Sequence, residues 1–212
     1  MSAALAIPAQ GTTLVIGASG IAVTTISAIT AANPAVATKT AHGLNTGQVV
    51  KVTGATGMVE INGRIAVIRK IDANTVELGG IDSTLFTAYS GASGVLTPTA
   101  CKVSGLEQYQ ISGQAATQIP ATDLDSTQIE NLTGLSGAGS MTLTLQKVFS
   151  DDGQKALEAS ANTPGVNVAI TLAPKGVTAL TTTGACSKVD FSGGVDALTK
   201  GSADIVLAAR FK

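Results

Sequence analysis

The 212 residues carry 13 Lys plus Arg against 14 Asp plus Glu, and charged residues make up only 13% of the chain. That is about half the ~25% typical of globular proteins, while 44% of the residues are hydrophobic, so the composition is the reverse of a disordered chain. Without a basic surplus the chain is no phosphate-gripping clamp, and one His with two Cys excludes a multi-His or Cys-rich zinc cluster. A surface this poor in charge points to burial in an assembly.

No charge precedes Lys39, so a membrane reading has to be weighed for Leu14 to Ala32. Gly17, Gly20 and a series of Ser and Thr interrupt that stretch, and no Lys or Arg flanks it. The start also lacks the basic region of a secretory signal. The expectation is strands, with no membrane span.

Strands are predicted over Thr12 to Ile16, over Thr24 to Thr30 with Ile26, Ala28 and Thr30 on one side, and over Gln48 to Thr53. Arg64 to Ile71 and Thr75 to Leu78 follow, with Asn62-Gly63 as the strongest hairpin signal and Asp72-Ala73-Asn74 as a second turn. Alternation is cleaner in the C-terminal half, over Met141 to Phe149, Val166 to Leu172, Ser187 to Ser192 and Asp204 to Phe211. Such one-sided strands belong to half-buried antiparallel sheets. One helix is expected, capped by Asp151, running through Lys155 to Ala161 and stopped by Asn162 and Pro164. Its apolar face is small: Ala156, Leu157 and Ala161.

Gln114 to Ser140 shows little periodicity and reads as a long polar loop. Ile119, Leu124, Ile129, Leu132 and Leu135 recur within it, and such side chains require a partner surface.

No constellation makes an active site. His42 lacks a second His or a Cys nearby and reads as a turn residue. Cys101 and Cys186 are either a disulfide or two buried thiols. Asp123 and Asp125 read as solvated or as subunit contacts, and Gly17-Ala-Ser-Gly20 lacks the third glycine of a dinucleotide fingerprint. The triplet Asn131-Leu132-Thr133 fits a glycosylation sequon, a pattern common by chance. The chain is expected to be no enzyme and to need no cofactor or metal.

Several segments, in this order, resemble the major tail tube proteins of long-tailed bacteriophages. They are AIPAQGTTL (6–14), IPATDLDS (119–126) with Glu130, Asn131 and Leu132, FSDDGQKAL (149–157) and FSGGVD (191–196). Together they place the resemblance in residues 1–24 and 99–212. A second set comprises ISAITAANP (26–34), AHGL (41–44), GMVEING (57–63), DANTVEL (72–78) and DSTLFTAY (82–89). It is similar to a small β module of phage structural proteins, related to the first catalytic-cysteine half-domain of ubiquitin-activating enzymes. Residues 25–98 contain no cysteine, so no activation chemistry carries over.

The resemblance implies a mainly β fold: a tail-tube β-sandwich or barrel with one flanking helix, split at residues 25–98 by a small all-β module. It also implies six-fold rings stacked into a virion tail tube, built in the cytoplasm of the host bacterium. The expected partners are further copies of the chain, the tape-measure, tail-tip and tail-terminator proteins, and phage DNA passing without specific binding. Ile119, Pro120, Asp123, Leu124, Asp125, Ile129, Leu132 and Leu135 are then the ring-stacking loop, and Asp190 and Asp204 candidate lumen residues. Residues 25–100 hold five basic and four acidic residues, leaving eight and ten for the remainder, a balance that would repel DNA weakly. The competing expectation is a receptor- or glycan-binding β-sandwich that decorates the virion.

Overall fold

The computed structural model describes residues 10–113, 116–125, 127–137, 139–195 and 198–212. Of the residues that carry the tail-tube resemblance, 6–9, Ser126 and Asp196 lie outside that set. The described chain is mainly β, with antiparallel sheets and one α-helix. It opens with β1 (Thr13–Ile16). Seven strands follow: β2 (Val23–Ile26), β3 (Ala28–Ile29), β4 (Ala35–Thr38), β5 (Val49–Thr53), β6 (Ile65–Lys70), β7 (Thr75–Gly79) and β8 (Gly94–Pro98). Next come β9 (Cys101–Val103), β10 (Leu106–Ser112), β11 (Ala116–Pro120), β12 (Asn131–Ser136) and β13 (Ser140–Gln146). Helix α1 (Asp152–Ala161) precedes β14 (Val168–Ala173), β15 (Leu180–Ser192) and β16 (Lys200–Leu207).

One seven-stranded sheet has the order β10-β13-β16-β15-β14-β1-β9. Its two edge strands, β9 and β10, are consecutive in the chain and joined only by Ser104 and Gly105. So short a link brings the edges together at that end, and the sheet rolls toward a barrel. Residues 101–112 therefore form two strands that turn away from each other at Gly105 (φ 75°).

The other seven-stranded sheet, β2-β8-β5-β6-β7-β4-β3, closes by a related device. Only Ser27 separates β2 from β3, yet they lie at opposite edges, so one stretch of chain changes partner between β8 and β4. The Ser27 N–H and hydroxyl both donate to the Thr38 carbonyl, at 2.9 Å each, where the switch occurs. The break shifts the side-chain parity. Ile26 and Ile29 are the buried pair, while Ala28 and Thr30 face solvent, in place of the expected single face of Ile26, Ala28 and Thr30.

Local turn chemistry explains the hairpins of this sheet. The Asp72 carboxylate accepts the Asn74 and Thr75 N–H groups at 2.6 and 2.7 Å, an Asx turn between β6 and β7. Asn62-Gly63 forms a turn as expected, but with Asn62 at φ −64°, ψ 133° and Gly63 at φ 81°. Those angles define a type II turn closing a short 3-10 segment, Val59–Ile61, in place of a two-residue hairpin loop.

Strands β5 and β6 are buried on both faces, and that decides how the two sheets sit together. Val50, Val52, Ala66 and Ile68 point into their own sheet's core. Val49, Ile65 and Val67 point outward and join the core of the other sheet, with Ala156, Leu157 and Ala159 of α1 between. The helix is thus covered from two sides, and its buried set (Gly153, Gln154, Ala156, Leu157, Ala159 and Ser160) exceeds the small face expected from sequence. Asp151 accepts the Gln154 N–H as the helix cap. Gly153, unfavourable inside a helix, is required because a Cβ there would collide with the Lys102 carbonyl of β9. Gly80 (φ 83°) serves the other side, where a Cβ would lie 2.6 Å from Ala159 Cα. Lys51 pairs with Asp152 at 2.6 Å, and Arg69 donates to the Pro164 carbonyl at 2.6 Å, at the rim of the seam.

Truncating Val67 tests this shared core. Val67→Ala removes two buried methyl groups and leaves a cavity against α1, and is expected to lower the unfolding free energy by about 2 kcal/mol. Denaturation followed by circular dichroism should show one shifted transition. A change confined to a separate early transition would mean that the helix does not couple the two sheets.

Candidate assembly surfaces

The segment expected to be a long loop contains a β-hairpin. Strand β11 pairs with β12 through Gln118 and Thr133, Ile119 and Leu132, and Pro120 and Asn131. The Ala121 N–H donates to the Glu130 carbonyl at 2.8 Å, and the Thr122 hydroxyl accepts the Glu130 N–H at 3.0 Å. Beyond these, the Asp123 carboxylate accepts the Asp125 N–H at 3.0 Å in a local Asx turn. The sparse period of the sequence hid these strands because neither face has a core to select it.

Its side chains are exposed to an unusual degree for their type. Leu124 is 106% exposed, Leu135 92%, Ile129 84%, Leu132 62% and Ile119 53%. Pro120, Asp123 and Asp125 are exposed as well. The eight residues singled out in sequence therefore lie on one projecting hairpin between β10 and β13. Single exposed apolar residues are ordinary, whereas five on one projection mark an interaction site.

The second surface is the outer face of β10, β13, β16 and β15. Gln108 and Gln110 stand opposite Thr144 and Thr142, and Thr142 and Thr144 opposite Asp204 and Ser202. On the far side Lys188 stands opposite Asp204, and Asp190 opposite Ser202. Asp204 accepts the Thr142 hydroxyl at 2.8 Å, and Asp190 pairs with Lys188. Both candidate lumen residues thus lie on one polar sheet face, with Ile205 buried behind it. At its end Glu107 accepts from Gln146 and Lys200, each at 2.9 Å. The Gln146 hydrogen bond, then that of Lys200, holds the Glu107 carboxyl below its ordinary pKa, and the Asp190 hydrogen bond and charge raise the Lys188 ammonium. Among the described residues of this face, acids exceed bases by one: Glu107, Asp190 and Asp204 against Lys188 and Lys200.

Elsewhere the chemistry is structural. His42 is buried, its Nδ1 accepts the Leu44 N–H at 2.9 Å, and its Nε2 donates to the Asp72 carbonyl at 3.0 Å. Cys101 and Cys186 are free buried thiols, each pushed up to about 11 chiefly by burial, so neither is a ready nucleophile. Among the described residues, no three His, Cys, Asp or Glu side chains gather as a metal site. No helix among them is long and apolar enough to cross a membrane. No family model matches the chain, and neither does any curated protein.

Three carboxylates of the β2–β8 sheet are held below their ordinary pKa by hydrogen bonds. Asp72 is held chiefly by the Asn74 N–H, Asp82 by the Thr84 N–H and Glu60 by backbone hydrogen bonding together with Thr87. A lowered folded pKa stabilises above the unfolded value and is lost as pH falls through the folded one. Thermal stability is therefore expected to fall as pH drops below about 4, and Asp72→Asn to flatten that decline. An unchanged acid limb in melts of the variant would remove Asp72 from this account.

Proposed function

We propose that the chain is a structural subunit that assembles with copies of itself into a tail tube of a long-tailed bacteriophage. The observation that carries this reading is the projecting hairpin with five exposed apolar side chains. A chain with only 13% charged residues that displays such a hairpin is built to cover it. The ordered segments that resemble tail tube proteins give the covering its form: six-fold rings, stacked. On this reading the polar face of β10, β13, β16 and β15 lines the channel. Its hydroxyl and amide side chains, with a slight excess of acid, let duplex DNA slide because no basic row holds the phosphates. The tape-measure protein would fill the same channel first, and the tail-tip and tail-terminator proteins would bound the tube.

Residues 25–98 form, in the same proposal, an inserted module on the outside of the tube, docked on α1. Electron microscopy of the concentrated, purified chain tests the proposal. Long hollow tubes of uniform bore are the expected result. A discrete monomer or trimer that binds a glycan would overturn it in favour of the virion-decorating alternative.

A further inference from the structure

Resting on the tube-subunit reading, we infer that the hairpin inserts into a particular surface of the next copy: the apolar cluster around Lys147 at the opposite end of the sheet. Strand register places the two surfaces at opposite poles. The hairpin leaves the sheet where Ser112 pairs with Ser140. At the other end Gln146 pairs with Lys200, which also pairs with Ser192. The seven residues of β13 separate these ends by roughly 20 Å.

The far pole is built around one lysine. Lys147 donates its N–H to the Thr199 carbonyl at 2.9 Å, tying the end of β13 to the β15–β16 connection. Its ammonium pairs with Glu158 and lies 3.9 Å from the Phe191 ring centroid and 5.4 Å from that of Phe149. Phe149 is nevertheless 77% exposed, and Leu198, in the connection beside Thr199, is 68% exposed. Val148 is partly exposed next to them. This pole therefore offers aromatic and aliphatic surface, with the Lys147 ammonium buried beneath it and already paired with Glu158.

The occupant follows from charge and direction. Residues 116–136 contain Asp123, Asp125 and Glu130 and no Lys or Arg. Their apolar side chains match the cluster, and their acids match the half-exposed Lys200 at its border, which donates one hydrogen bond to Glu107. A projection at one pole and its receiver at the other make a heterologous contact, which repeats without closing and extends a filament. A hairpin-to-hairpin contact would instead be isologous and stop at a pair.

Mixing two broken full-length subunits tests the assignment. One carries Leu124→Asp with Ile129→Asp and keeps its receiving pole; the other carries Phe149→Asp with Leu198→Asp and keeps its hairpin. Each alone is expected to lose filaments at least tenfold by sedimentation and electron microscopy. Mixed in equal amounts, they should associate where neither does alone, since the hairpin of one meets the intact pole of the other. If the pole variant elongates like the parent, or the mixture stays unassociated, the receiving surface is wrongly assigned while the tube reading stands. If the hairpin variant itself elongates, the tube reading's own contact fails. Circular dichroism checks folding, and Leu198→Asp alone replaces the double pole variant if Phe149→Asp lowers the melting temperature.

Discussion

The Leu124→Asp and Ile129→Asp chain is expected to fold like the parent and to form no tubes. Both side chains are exposed in the single subunit, at 106% and 84%, so their loss removes nothing from either core. Surface changes of this kind shift stability by about 0.5 kcal/mol or less. In the proposed assembly the same side chains would be buried, where each would contribute roughly 1.5–3 kcal/mol, and replacing them with Asp adds two charges to be desolvated. The cost recurs at every junction of a polymer, so a moderate loss per subunit abolishes elongation. Deleting residues 121–136 should act in the same way. Tubes formed by either variant at the parent's concentration would refute the role given to this hairpin.

Gln154→Leu is expected to be the most damaging single substitution for stability, costing about 3 kcal/mol or more. The side chain is 1% exposed and satisfies three backbone groups. Its Oε1 accepts the Val148 N–H at 2.9 Å, and its Nε2 donates to the carbonyls of Ser104 and Gln146 at 2.8 and 2.7 Å. Ser104 belongs to the link between the two sheet edges, and Gln146 ends β13, so one amide secures the place where the rolled sheet closes. Leucine fills a similar volume but leaves all three groups without a partner. Gln154→Glu separates the parts of this account. Ionised, it accepts from Val148 but turns a carboxylate toward two carbonyls; protonated, it regains one donor. Its denaturation midpoint should therefore rise toward acid pH, relative to the parent, and a variant as stable as the parent at pH 7 would show that the amide is dispensable.

Much of the strand content was legible because burial on one face writes an alternating pattern. In β13, Met141, Leu143 and Leu145 are buried and Thr142 and Thr144 face outward, and β16 follows the same rule. The helix cap at Asp151 was legible for the same local reason. What escaped notice depends on distant parts of the chain. The parity change at Ser27 is imposed by a partner switch that no neighbouring residue encodes. The wide buried face of α1 comes from Val49, Ile65 and Val67, about a hundred residues earlier in the chain. Among candidate functional residues, the hairpin side chains stood out by composition. Phe149 and Leu198 did not, since each is a single apolar residue and only strand register brings their segments to one pole.

The position of β1 fixes an order of events during synthesis. Residues 13–16 leave the ribosome before either of their partners, for they pair with residues 101–103 on one side and 170–173 on the other. Meanwhile the β2–β8 sheet is complete by residue 98 and has its own core. All the strands of that sheet are therefore available to pair on the nascent chain while β1 waits, and the hairpin of residues 116–136 emerges before the sheet that carries it can close. The last strands of that sheet, β15 and β16, join β13 to β14 and β1, so no subunit has both a finished body and an exposed hairpin until residue 207 has been made.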